Sequence, residues 1–202
     1  CLRFDYRGTG DSPGEFTDAG LTEWVEDLVA AASFARETLE VEKLGFLGLR
    51  LGAGIALRAL AAGACAEFLI LWEPVLDGKQ FMAHNLRRSQ IKAMLTKGEE
   101  FAAQAVREAQ AGAVFDFDGY RITAATREQI EGLNLLAEAQ RLEGPSLVVN
   151  LAARDQPAEG YVRLAEALGG TAVAVRQEPF WNRIGLVNPR PVVEVTELWL
   201  AE

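Results

Sequence analysis

The residues best placed to do chemistry lie in Lys43–Leu60, which reads KLGFLGLRLGAGIALRAL. A short apolar run, Leu44–Leu47, meets a turn with glycines at 48 and 52, and an Ala/Leu-rich helical pattern follows from about Ala53. Strand, sharp turn and helix is the context in which a G-x-S-x-G elbow lifts a nucleophile above a sheet. Here Arg50 stands at the central position. A guanidinium stays protonated and has no acceptor lone pair, so it cannot attack a carbonyl. Two roles remain open to it. It can lock the rim of the sheet through a buried pair with a carboxylate, or it can offer a bidentate fork to a bound carboxylate or phosphate. The helix behind the elbow would help the second role, because its first N–H groups and its dipole favour an anion.

The other candidates sit at strand ends. Glu73, Asp155 and Glu178 supply carboxylates that could neutralise Arg50, or act as acid or base if a substrate or metal completed the site. For Asp155 an ion pair or a turn cap is the plainer role. Trp72, Phe180 and Trp181 read as core or as pocket wall, and Leu51 follows Arg50 directly. Ser12 falls in a Gly-rich turn, where satisfying backbone amides is its plainer role. The single histidine, His84, falls in a helical stretch and reads as a surface or packing residue. Cys and His lack metal-ligand spacing, and no cofactor is called for. The glycines at 48, 52 and 54 also match the spacing of short-chain dehydrogenases, with Glu73, 21 residues past Gly52, where a ribose-binding acid would stand. No Tyr-x-x-x-Lys accompanies them: Tyr6, Tyr120 and Tyr161 are followed four places on by Gly10, Ala124 and Ala165. A P-loop is excluded because no Gly-Lys-Ser/Thr follows.

These residues must be held by an α/β scaffold. Cys1–Tyr6 alternates like a strand, 7–14 is turn chemistry, and Thr17 or Asp18 can cap a helix through Leu21, Trp24, Val25, Leu28, Val29 and Ala32. Buried strands are expected at Phe68–Trp72, Ser146–Leu151 and Thr171–Val175, with helices over about Ala158–Leu168 and from near Pro191. Between Asp77 and Arg141 the pattern is mainly helical, with Phe81, Leu86, Ile91, Met94 and Leu95 expected to form one apolar face. Within it Val114–Ile122 reads as a hairpin with Asp118-Gly119 at the tip. Strands alternating with helices imply a parallel sheet covered on both faces. At 202 residues, half of them apolar, the chain can bury a substantial core. A formal charge of −9 without a dense basic run argues against a nucleic-acid partner. Two distant cysteines suit a reducing cytoplasm. No apolar stretch reaches the roughly 18 residues of a membrane span.

Several motifs in order carry a resemblance. Phe4-Asp5-Tyr6-Arg7-Gly8-Thr9-Gly10-Asp11-Ser12 resembles the strand and loop that precede the elbow in α/β-hydrolases. With Gly48-Leu49-Arg50-Leu51-Gly52-Ala53, Leu71-Trp72-Glu73-Pro74-Val75, Gly78-Lys79, Gly119-Tyr120 and Glu178-Pro179-Phe180-Trp181, the set resembles the type 2 hydrolases associated with exosortase A systems. These are bacterial proteins encoded near exopolysaccharide and protein-sorting machinery, and members resemble this chain at Arg50 too. The resemblance implies a three-layer α/β sandwich: core in 1–76 and 143–202, with a mainly helical cap inserted at 77–142. It places the nucleophile position at Arg50 and the acid position at Asp155. The histidine expected after the last strand is missing from Glu178-Pro179-Phe180-Trp181-Asn182, so a serine triad lacks both nucleophile and base. The reading is therefore an inactive or non-classical hydrolase with a small anionic or acyl-type ligand. The alternative is an active acyl or ester hydrolase or transferase using unusual residues. In the family's strand order a strand from upstream of Cys1 separates Cys1–Tyr6 from Leu44–Leu47. The chain thus reads as a fragment completed by upstream sequence, with a sheet of five parallel strands.

Overall fold

A computed structural model of the chain describes residues 1–97, 115–117, 120–181 and 187–201. Four strands form a parallel sheet: β1 (Gly45–Leu49), β2 (Phe68–Trp72), β5 (Ser146–Leu151) and β6 (Thr171–Val175), in the spatial order β1-β2-β5-β6. The remaining two, β3 (Phe115–Phe117) and β4 (Tyr120–Ile122), make the expected antiparallel hairpin, whose tip residues 118–119 lie outside the described residues. The helices among the described residues are α1 (Leu21–Glu37), α2 (Leu51–Ala61), α3 (Gly78–Lys97), α4 (Ala124–Glu131), α5 (Leu135–Glu138), α6 (Glu159–Leu168) and α7 (Arg190–Leu200).

The chain divides into two compact units, one of residues 1–31 and 77–134, the other of 32–76 and 135–202. The second holds the parallel sheet. Its central strands are short apolar runs because both faces are covered: β5 is buried at all six positions, whereas Leu47 in the middle of β1 is 51% exposed. Ile70, Leu147, Val149, Leu151, Val175 and Val192 form one core cluster, against which Trp72, Phe180, Trp181 and Trp199 pack. Each such side chain removed from water contributes about 1.5–3 kcal/mol. Helix α6 ends where Gly169 takes a left-handed φ of 77°, a conformation that costs glycine nothing.

In the first unit, Thr123 caps α4 by accepting from the Thr126 N–H at 3.1 Å. The buried Thr126 hydroxyl donates to the Ala19 carbonyl, tying α4 to the start of α1.

Five expectations are corrected. The sheet has four strands among the described residues, not five. Cys1–Tyr6 lies outside any ladder, with Asp5 and Tyr6 bonded to the turn that follows: Ser12 Oγ donates to the Asp5 carbonyl, and the Thr9 N–H to that of Tyr6. Among the described residues β1 therefore has a neighbour on one side alone. Its end is also later than expected, because the run continues to Leu49. Thr17 and Asp18 do not cap α1; they lie in a short 3-10 turn, and the Glu23 carboxylate instead accepts from the Gly20 N–H at 2.8 Å. On α3, Phe81 and Leu86 are half-buried while Ile91, Met94 and Leu95 are exposed. Residues five apart advance a helix by about 1.4 turns, so positions 81, 86 and 91 cannot share a face.

Candidate functional site at the elbow

The path from β1 into α2 is an elbow in geometry as well as spacing. Strand β1 ends at Leu49, α2 begins at Leu51, and Arg50 between them holds φ 54° and ψ −116°. A side-chain-bearing residue avoids this region, and holding it there costs about 1–3 kcal/mol. The surroundings enforce the turn. The Arg50 N–H donates to the Trp72 carbonyl at 3.0 Å, and the Arg50 carbonyl accepts from Ala53 at 3.2 Å and Val75 at 3.3 Å. Gly48 is required, because a Cβ there would lie 2.7 Å from both the Ala53 Cα and the Gly52 carbonyl. Gly52 is not required in that sense: a Cβ on it would meet nothing within 4 Å. The first turn of α2 therefore borders open space.

The half-buried Arg50 side chain lies over Trp181, its guanidinium carbon 4.9 Å from the ring centroid, and Nη1 donates to the Glu73 main-chain carbonyl at 3.2 Å. Burial pulls the guanidinium pKa down, while the Glu73 carboxylate, and less so Tyr161, push it back up. Glu73 itself is held in a left-handed conformation, φ 43°, just past the end of β2. Its carboxylate accepts from three donors: the Asn150 amide at 3.0 Å, the Leu151 N–H at 2.6 Å and the Tyr161 hydroxyl at 2.9 Å. Asn150 is fixed in turn by accepting from the Ala158 N–H at 3.0 Å. Burial raises the Tyr161 pKa above the ordinary phenol range, and the charge of Glu73 and the bond to it raise it further. The cluster thus consists of a cation, an anion and a neutral hydroxyl. The hydroxyl donates to the anion, whose carboxylate also holds two further donors.

Of the residues singled out in the sequence, Arg50, Glu73 and Trp181 come together. Leu51 is the first residue of α2, half-buried. Trp72 is turned toward α7, donating its indole N–H to Thr196 Oγ1 at 3.0 Å, and its ring meets Phe180 edge-on at 6.4 Å. Glu178 is exposed in the segment after β6. Asp155 lies on the surface, paired with Arg176 at 2.7 Å with both side chains more than 60% exposed (74% and 67%). His84 is exposed on α3, and Ser12 holds its own turn. Among the described residues no group of His, Cys, Asp and Glu could hold a metal ion, and no helix is long and apolar enough to cross a membrane.

Two members of the cluster escape sequence reading: Asn150 and Tyr161. Asn150 left a signal, as the one amide inside the apolar run of β5 and only 5% exposed. Tyr161 left none, because its partner lies 88 residues away.

No protein-family model and no curated protein matches the sequence. Solved structures do. Est1E from Butyrivibrio proteoclasticus, solved with ferulic acid bound, superposes with a TM-score of 0.65 at 16% identity, covering 98% of this chain and 74% of that one. The α/β hydrolase GrgF from a Penicillium species gives 0.62 at 17% identity, covering 98% and 76%. An α/β hydrolase from Sphaerobacter thermophilus gives 0.53 at 20% identity, covering 97% and 80%. With a parallel sheet, an elbow between β1 and α2, and these neighbours along almost the whole chain, the protein has the α/β-hydrolase fold.

Proposed function

We propose that this protein uses the hydrolase fold to bind an anionic ligand at the elbow, without serine-type hydrolysis. The observation that carries the reading is Arg50 in the elbow conformation, where a hydrolase would present its attacking group. Three features support a ligand there. The cation stands at the C-terminal end of the strands, where open α/β sheets bind ligands; Trp181 offers an aromatic face beside it; and the turn of α2 at Gly52 borders open space. Est1E, which shares the fold, was solved with an aromatic carboxylate, so a carboxylate on an aromatic or other planar body is the first class to test. The motif set around Arg50 supports a setting in exopolysaccharide and protein sorting linked to exosortase A, and the two cysteines, both unbridged, suit a reducing cytoplasm.

A second reading has its own observation. The charge of Glu73 acts on Arg50, so the pair can be purely structural. Thermal unfolding with inorganic phosphate and with ferulate separates the two. Binding to the folded state alone raises Tm with ligand concentration, and Arg50→Ala abolishes the rise. No rise with either anion rejects the binding reading and leaves the structural one.

A further inference from the structure

We propose that the outer face of α3 docks on an anionic phospholipid surface. The helix has no acidic residue and presents the exposed cations Lys79 and Arg87, in a chain whose formal charge is −9. It is apolar on two sides. One is satisfied within its own unit, where Met82 is fully buried. The other is not covered: Ile91, Met94 and Leu95 are 50%, 49% and 79% exposed. With the exposed Arg87 these residues fall at i, i+4, i+7 and i+8, a single outward stripe. Large aliphatic side chains interleaved with cations suit the boundary between headgroups and acyl chains, where Lys and Arg stems lie along apolar surface and their heads reach phosphate. A second copy of the chain is the poorer occupant, because two such faces would bring like charges together. The placement needs no spanning helix, and it is independent of what the elbow binds.

The test is co-sedimentation of the full chain with vesicles of phosphatidylcholine alone and with added phosphatidylglycerol. The expected result is binding to the anionic vesicles only, weakening as salt shortens the screening length. Arg87→Glu should weaken it by at least about fivefold, the value of one basic side chain near such a surface. Ile91→Ser with Leu95→Ser should weaken it about tenfold or more. All these positions are exposed, so thermal unfolding should show the variants folded. Absence of binding to anionic vesicles overturns the proposal, as does binding that these variants leave unchanged. A dimer in sedimentation analysis that Ile91→Ser with Leu95→Ser dissolves also overturns it, by assigning the face to a second copy.

Discussion

Replacing Arg50 by alanine and, separately, by glycine isolates the two terms that meet at the elbow. Both variants lose the guanidinium, and with it a long charge-assisted hydrogen bond to the Glu73 carbonyl and the contact with Trp181. Such terms are worth about 1.5–3 and 0.5–2 kcal/mol at full strength. The group is only half-buried, so solvent screens both terms, and its removal recovers a desolvation cost. Glu73 keeps three donors when its cation is gone. The loss should therefore be about 1–2 kcal/mol for alanine, well short of the roughly 3–5 kcal/mol seen when a buried charge is left unsupported. Glycine differs in one respect: it occupies φ 54° without the strain of about 1–3 kcal/mol. Against that stands about 0.4–1 kcal/mol of extra chain entropy when unfolded. Arg50→Gly should thus be more stable than Arg50→Ala by about 0.5–2 kcal/mol. Urea unfolding at constant slope measures the difference. Alanine equal to or better than glycine would refute the strained elbow, and a loss above about 3 kcal/mol for alanine would refute the self-sufficiency of Glu73.

Further outcomes follow from the same geometry. Glu73→Gln presents one acceptor oxygen to three converging donors and removes the charge opposite Arg50, and should cost about 2–4 kcal/mol in the same assay. Gly48→Ala should prevent stable folding, since its Cβ meets backbone, whereas Gly52→Ala should be neutral or stabilising by up to about 1 kcal/mol while blunting any Tm response to anions. At alkaline pH the protein should weaken: burial, with the charge of Asp27, pushes Tyr6 up to about 12, and Tyr161 is also raised. A phenol that holds its proton more tightly when folded contributes stability that is complete below the unfolded value of 10.0 and disappears as pH rises through the folded value. Unfolding midpoints should fall between about pH 10 and 12, and the fall should flatten in a Tyr6→Phe variant.

How much of this was legible in the sequence depends on the range of the interaction. The strands Phe68–Trp72, Ser146–Leu151 and Thr171–Val175 have the expected bounds, because continuous apolar runs between turn residues are a local signal. The elbow was legible for the same reason: glycine spacing and the switch from strand to helix period sit within a dozen residues. Cys1–Tyr6 misled because alternation describes a strand's side chains but does not supply the neighbour that makes it one. The three donors on Glu73 come from residues 77, 78 and 88 positions away, so no local pattern could assemble them. Asp155 shows the converse. Its place after a strand left an ion pair and an acid position both open, and the fold supplies the partner, Arg176, 21 positions away on the surface.

The central claim is that the elbow presents a cation where hydrolases of this fold present an attacking group. Intact-mass analysis after exposure to a serine-directed fluorophosphonate tests it directly. The account predicts an unmodified chain, and no turnover of a simple activated ester above background. A stoichiometric single adduct on any serine would contradict it, by showing a nucleophile and base elsewhere in the chain.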